Sequence, residues 1–267
     1  MIYLDYNATT PVLPEVLEAM MPYFTQDWGN PSSTYKFGYK LKSVIETVRE
    51  HVADLIGAHP LEVIFTSCAS ESNNAAIHAA LKAHPGKRHI VTSAVEHSSV
   101  LNHCMALDKE GYRVTYLPVD PDGLLKLADL ESAITDETAI VSLMWANNET
   151  GVLFPVKEIA EICRSRSVLY HCDAVQTAGK LEINVQKTPI DYLSLTGHKF
   201  HAPKGIGALY VRRKTPVSPY VHGGHQERNL RGGTESVPLI VGMGKAPNWP
   251  ASISPTTTRK SARYATR

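Results

Sequence analysis

Five short polar clusters follow apolar, β-branched runs in this sequence. Ser67-Cys68-Ala69-Ser70-Glu71-Ser72-Asn73-Asn74 follows Val63–Thr66, and Val95-Glu96-His97-Ser98 follows residues 89–92. Trp145 to Gly151, with Asn147 and Asn148, follows residues 139–144. Asp173-Ala174-Val175-Gln176 follows residues 168–172, and Thr196-Gly197-His198-Lys199 follows residues 192–195. If these runs are parallel strands, all five clusters share one sheet edge. Ligands of open α/β sheets bind there, beyond the carboxyl ends of the strands.

Each cluster has a plain reading and a chemical one. The first opens a helix, whose free N–H groups make a phosphate seat, but Ser70 reads equally as an ordinary N-cap. Asp173 alone reads as a turn former, and His97 alone as a loop histidine. Lys199 differs, because an amine among Thr196, Gly197, His198, Phe200 and His201 is a poor solvated charge. A partly buried lysine has a lowered pKa and attacks carbonyls. An amine, a carboxylate, an aromatic imidazole and a hydroxylated helix start together match the needs of pyridoxal phosphate. The Ser67–Asn74 loop holds no glycine, against a dinucleotide fingerprint. The chain also lacks the Gly-x-Ser-x-Gly nucleophile elbow of hydrolases.

The elements that must position these groups alternate. Helical spacing is expected over 14–24, 39–56 (closed by Gly57), 71–83, 98–110 (closed by Gly111), 124–133 and 156–166. Strands are expected at 63–66, 89–92, 113–117, 139–144, 168–172, 192–195 and 207–211. Such alternation gives an α/β fold with a mostly parallel sheet covered by helices on both faces.

The chain has 267 residues and a net charge of +1, with 43% hydrophobic and 20% charged residues. That composition excludes wholesale disorder and offers no general attraction to nucleic acid or acidic membranes. No apolar run approaches a membrane span. The first ten residues lack a secretory pattern, and four cysteines do not suggest a disulfide framework. The expected location is cytoplasmic. Residues 236–267 carry five basic side chains and no acidic one, with prolines and a threonine run. The expected organisation is an N-terminal arm over 1–14, a large domain over 15–244, and a disordered basic tail over 245–267.

Several motifs carry a family resemblance. They include Tyr3 to Thr10, Gly29-Asn30-Pro31-Ser32-Ser33, Phe65-Thr66-Ser67-Cys68, Glu96-His97, Met144 to Gly151, His171 to Gln176, Gly197-His198-Lys199, Pro203-Lys204-Gly205 and Gly223 to Glu227. In this order the chain resembles cysteine desulfurases of the class-V, fold-type-I aminotransferase family, most of all the nitrogen-fixation branch. The resemblance implies that Lys199 holds pyridoxal 5'-phosphate, that Asp173 pairs with its ring nitrogen, and that Gln176 bonds its phenolic oxygen. It implies that His97 stacks on the ring and moves protons. Ala69, Ser70, Thr196 and His198 would hold the phosphate, with Ser70 where the family usually has threonine. Asn148 would face the cofactor's oxygen and the substrate. Thr234 would reach the phosphate of a neighbouring subunit, which implies a homodimer.

The implied reaction takes sulfur from L-cysteine, releases L-alanine and leaves a persulfide. That sulfur passes to an iron–sulfur scaffold protein. The match fades after Gly242-Met243-Gly244. The family's small C-terminal domain, which carries the nucleophilic cysteine and a carboxylate-gripping arginine, is therefore expected to be missing and the activity impaired. Cys104 and Cys163 are expected as buried small hydrophobes, and Cys68 and Cys172 as thiols held away from the reaction path. An inactive cofactor-binding remnant and a selenocysteine lyase are the alternative readings.

Overall fold

The computed structural model describes residues 2–246. In chain order they form α1 (Pro14–Met20), α2 (Pro22–Thr25), α3 (Lys36–Ile56), β1 (Val63–Thr66), α4 (Ala69–Ala83), β2 (His89–Ser93), α5 (Ser98–Lys109), β3 (Arg113–Leu117), α6 (Leu127–Ala133), β4 (Thr138–Met144), α7 (Val156–Ser165), β5 (Leu169–Asp173), β6 (Tyr192–Thr196), β7 (Gly207–Val211), the single turn α8 (Gln226–Asn229) and α9 (Val237–Lys245). Single 3-10 turns cover Pro60–Glu62 and Gly197–Lys199.

Helix α3 shows how the sequence pattern becomes packing. Leu41, Ile45, Val48, Val52 and Ile56 are buried and fall on one stripe of a 3.6-residue helix. The helix ends at Gly57, whose φ of 65° is left-handed, a closure glycine adopts without a Cβ penalty. Two expected helices differ. Residues 14–24 form α1 and α2 rather than one helix, because Pro22 has no N–H to continue the first and sits at the start of the second. Residues 124–133 become helical only at Leu127, because Leu125 pairs with Val119 in an antiparallel bridge.

The seven strands lie in the order β1-β7-β6-β5-β4-β2-β3. Pairing is parallel from β6 through β5, β4 and β2 to β3, and β7 runs antiparallel between β1 and β6. The sheet is thus mostly parallel, as expected. One apolar core joins the sheet to α1, α3, α7 and α9, and a second joins it to α4 and α5. In the parallel register, Met144 lies opposite Asp173 and Asp173 opposite Ser194. The ends of β4 and β5 are therefore level, and β6 runs two residues further, to Thr196. Residues 2–13 contain no helix or strand. Helix α9 reaches Lys245, one residue past the expected boundary. Ala246 follows it and is buried, and residues 247–267 of the expected disordered tail lie outside the described residues.

A buried ion pair fastens the far end of the chain to β1. Arg49 on α3 donates to both carboxylate oxygens of Glu227, at 2.6 and 2.9 Å, and both side chains are almost fully buried. The Phe65 N–H donates to the same carboxylate at 2.9 Å. Glu227, Arg228 and Asn229 all have positive φ, a conformation that costs roughly 1–2 kcal/mol per non-glycine residue. The ion pair and the Arg228 bond to the Val63 carbonyl, at 2.7 Å, hold this turn.

Two buried titratable groups pull stability in opposite directions. His171 bridges Ser142 on β4 and Ser194 on β6, at 2.8 and 3.0 Å, and burial pulls its pKa down to about 3. The folded form resists protonation, so His171 removes stability as pH falls from about 6.5 towards 3. Glu96 is wholly buried, and burial pushes its pKa up to about 8 despite hydrogen bonds from Ser93 and the Met144 N–H. The folded form keeps its proton, so Glu96 removes stability as pH rises from about 4.5 to about 8. Each unit of such a shift is worth ~1.4 kcal/mol.

Two outcomes are expected. Glu227→Ala leaves buried Arg49 with only the half-exposed Glu46 as a charged partner, a change worth up to about 3–5 kcal/mol, and denaturant midpoints check it; a loss below ~1 kcal/mol would count against the pair's role. Glu96→Gln mimics the protonated acid. Its stability relative to the parent chain should rise between pH 5 and pH 8, and parallel stability–pH curves would refute the assignment.

Candidate active site

The level strand ends open on a cleft of about 220 Å³. Ala69, Ser70, His97, Asn148, Asp173, Gln176, Thr196, His198 and Lys199 all line it. The sequence clusters therefore meet. Thr234 does not join them; it lines a second depression with Ser67, Arg231 and Glu235.

Asp173 ends β5 and is buried. Its Oδ1 accepts the Val175 N–H at 3.0 Å and its Oδ2 accepts the Asn73 amide at 2.8 Å. Burial raises its pKa, and these bonds and the nearby His97 and Lys199 pull it back. Lys199 closes the 3-10 turn after β6. Burial lowers its pKa, against the attraction of Asp173, Asp5 and Glu149. Its ammonium donates to the Asn7 carbonyl and, at 3.0 Å, to that of Ala8.

The N-terminal arm is bound over this turn. Thr10 bonds the His198 carbonyl through its N–H and its hydroxyl, both at 2.9 Å, and accepts the His201 N–H at 2.8 Å. His198 Nδ1 lies 3.1 Å from the Thr9 hydroxyl, and burial pulls its pKa down to about 4, aided by Lys199 and Lys204. Gln176 donates to the Asn7 carbonyl at 2.9 Å and accepts from Lys180 at 3.1 Å. The arm thus engages both Lys199 and Gln176.

The helix start departs from the simple capping reading. The N-cap of α4 is Cys68, not Ser70, and its side chain makes no capping bond. The first-turn N–H groups at Ala69 and Ser70 are left for another acceptor. Thr196 lines the cleft, but its hydroxyl donates to the Ile206 carbonyl at 3.1 Å. Asn148 donates to Glu149 at 2.6 Å.

Three polar residues were missed as parts of the site. Asn147 is nearly buried; its Oδ1 accepts from the Glu149 and Thr150 N–H groups, both at 3.0 Å, and its amide donates to the Val95 carbonyl. It shapes the turn that presents Asn148. Asn73 and Ser99 lie between Asp173 and His97. The signal for Asn73 was its place in the polar cluster after β1, which gave it no role of its own.

The cysteines sort by exposure. Cys104, Cys163 and Cys172 are buried, as expected for the first two. Burial pushes Cys104 and Cys163 up to about 12 and Cys172 well above its usual value. Cys68 was expected to be held away from the reaction path. It instead lines the cleft, because it caps α4 rather than continuing β1.

Comparison with known proteins places this geometry. The aminotransferase class-V family model matches residues 2–267. A cysteine desulfurase of Trichormus azollae is 53% identical over 266 residues, covering 100% of this chain and 66% of that protein. A cysteine desulfurase IscS of Rickettsia typhi is 49% identical, covering 98% of this chain and 64% of that protein. The chain thus spans a little under two thirds of these relatives' length. Among solved structures, a NifS-like protein superposes with a TM-score of 0.90 at 42% identity, over 92% of this chain and 68% of its own. SspA in complex with cysteine superposes at 0.91 and 42% identity, over 99% and 78%.

The class-V family works with pyridoxal phosphate, and this cleft fits that cofactor. It offers a lysine amine, a buried carboxylate and a helix N-terminus without a side-chain cap, all opening on one space. With the family match running from residue 2 to 267 and the shared fold at this identity, the chain belongs to the class-V aminotransferases.

Proposed function

We propose that this chain is the cofactor-bearing body of a cysteine desulfurase. It acts on L-cysteine, gives L-alanine and passes sulfur, as a persulfide, towards iron–sulfur cluster assembly of the nitrogen-fixation type. The observation that carries the reading is the meeting of Lys199, Asp173 and His97 in one cleft. The desulfurase names of its relatives and the cysteine bound to SspA support it.

When bound, pyridoxal phosphate supplies an aldehyde for amines and a ring that accepts electrons. Lys199 holds the aldehyde end and, once released, moves the proton at the substrate's α-carbon. Asp173 holds a positive charge at the ring nitrogen. Gln176 would hold the phenolic oxygen, and Asn148 would hold that oxygen and the substrate. Ala69 and Ser70 offer N–H groups to the phosphate, with neutral His198 beside them. The Thr196 hydroxyl gives its hydrogen to Ile206 and so contributes to the phosphate less than expected. His97 covers the ring from the start of α5. Thr234 acts across a homodimer, which accords with its place outside the cleft of its own chain.

Sulfur transfer needs a thiolate. The acceptor's sulfur bonds the substrate sulfur, the carbon–sulfur bond breaks, and a proton replaces sulfur on carbon; cysteine and a thiol become alanine and a persulfide. Thiolate is the attacking form, so buried Cys104, Cys163 and Cys172 are poor acceptors. Cys68 is half-buried at a helix start, on the phosphate side of the cleft. Turnover by this chain alone is therefore impaired and depends on an outside thiol.

Two outcomes test this. Borohydride reduction in the presence of pyridoxal phosphate should leave a pyridoxyl group on Lys199, read by peptide mass mapping. Lys180, whose amine is also partly desolvated, is the control, and labelling there instead would overturn the site. With L-cysteine, the chain should release alanine slowly, faster with added dithiothreitol, and not at all as Lys199→Ala. Absence of alanine with or without thiol would sink the desulfurase reading.

A further inference from the structure

The side chains between His97 and Asp173 form a continuous chain of hydrogen bonds with only one consistent assignment of protons. Asn73 is wholly buried on α4. Its amide nitrogen is 2.8 Å from Asp173 Oδ2 and 2.9 Å from the Ser99 hydroxyl. A carboxylate accepts but does not donate, so the amide must turn its NH2 to Asp173. Both hydrogens are then spent, one on Asp173 and one on Ser99. The Asn73 Oδ1 is left buried with no partner among the described residues, a cost of roughly 1–3 kcal/mol for a group of this kind. The opposite orientation would set Oδ1 against the Asp173 carboxylate, two acceptors with no hydrogen between them.

Ser99 sits at the start of α5, with His97 as the N-cap. Its hydroxyl already accepts from Asn73, so its own hydrogen is free for His97 Nδ1, 2.8 Å away. The Ser99 backbone N–H also points at Nδ1, at 3.1 Å. Nδ1 therefore faces a fixed backbone donor and a hydroxyl free to donate, and a hydrogen on Nδ1 would oppose the backbone N–H. The remaining ring hydrogen belongs on Nε2.

We propose that Asn73 and Ser99 are positioning residues that hold His97 in the Nε2–H tautomer and tie the ring's orientation to the Asp173 carboxylate. The assignment gives His97 a defined donor away from the α5 backbone, and it couples the two groups on either side of the cleft through three hydrogen bonds. It concerns the same cleft as the proposed reaction, but its test reads the ring itself and needs no turnover.

The test is nitrogen NMR of the full chain with 15N-labelled histidine and asparagine, with and without added pyridoxal phosphate. His97→Asn identifies the resonances. The expected result is an Nδ1 shift of the bare, accepting kind and an Nε2 shift of the protonated kind. In Ser99→Ala, only the backbone donor remains, and the separation between the two shifts should narrow as tautomers mix. Ser99→Thr, which keeps the hydroxyl, should restore it. Asn73→Ala should also narrow the separation, because Ser99 is then free to turn its hydrogen elsewhere. If that variant does not fold, the Asn73 side-chain amide signal decides its part: it should move in Ser99→Ala and return in Ser99→Thr. A proton on Nδ1 in the parent chain, or a Ser99→Ala separation equal to the parent's, overturns the proposal. An Asn73 amide signal indifferent to Ser99 removes Asn73 from it.

Discussion

A carboxylate buried at the end of a parallel strand is the constraint around which this site is arranged. Asp173 is largely withdrawn from water, touching it only at the cleft, and a buried charge persists only when it is bonded and paired. Its partners come from separate parts of the chain. Val175 comes from the turn after β5, Asn73 from α4, and the opposing charge from Lys199. To deliver Asn73, helix α4 must start directly over the end of β5. That placement brings the N–H groups of Ala69 and Ser70 to the cleft. To bond Asn73, Ser99 must open α5 beside it, which brings His97 to the same edge.

The groups packed around this centre are largely uncharged near neutral pH. Burial keeps His198 and His171 from taking a proton and Glu96 from losing one. Asp173 and Lys199 are left as opposed charges in a partly desolvated space, where their interaction is stronger than in water. The N-terminal arm adds to this by offering the Asn7 and Ala8 carbonyls to the Lys199 ammonium. The lysine is thus held by main-chain dipoles as well as by charge, and the arm is a wall of the cleft rather than a loose leader to the fold.

Much of this was legible because it is local. An apolar run of four to seven residues ending in polar ones marks a strand and its cleft-facing end, and the residue order from Ser67 to Lys199 placed all of the cluster residues on one edge. What was not legible depends on partners distant in sequence. The antiparallel insertion of β7 between β1 and β6 has no local mark. Glu227 stood in the sequence as the end of the Gly223 to Glu227 motif, and its partner Arg49 lies 178 positions away; that pair and the Arg228 bond to Val63 hold three successive left-handed residues. Asn73 was seen as part of a polar cluster, but its role needed Asp173, 100 positions on, and Ser99, 26 positions on. Pro22 and Leu125 show the converse: a helical period was visible, and a missing N–H or a competing bridge cut it short.

The distribution of thiols follows from the same packing. Cys104 and Cys163 sit on the buried faces of α5 and α7, and Cys172 lies inside β5 one residue before Asp173. A strand alternates its side chains, so the residue before a cleft-facing aspartate must point into the opposite layer. Cys172 accordingly packs in the core shared with α3 and α7, and no rotation of its side chain brings it to the cleft. Cys68 reaches the cleft because it stands where strand gives way to helix, in an extended conformation that belongs to neither. Its neighbours there are the N–H groups that open α4. Among the described residues the cysteines are fixed in helices, in a strand or at a helix cap, so the same packing that builds the cleft sets every one of these thiols on a rigid element rather than on a loop beside it.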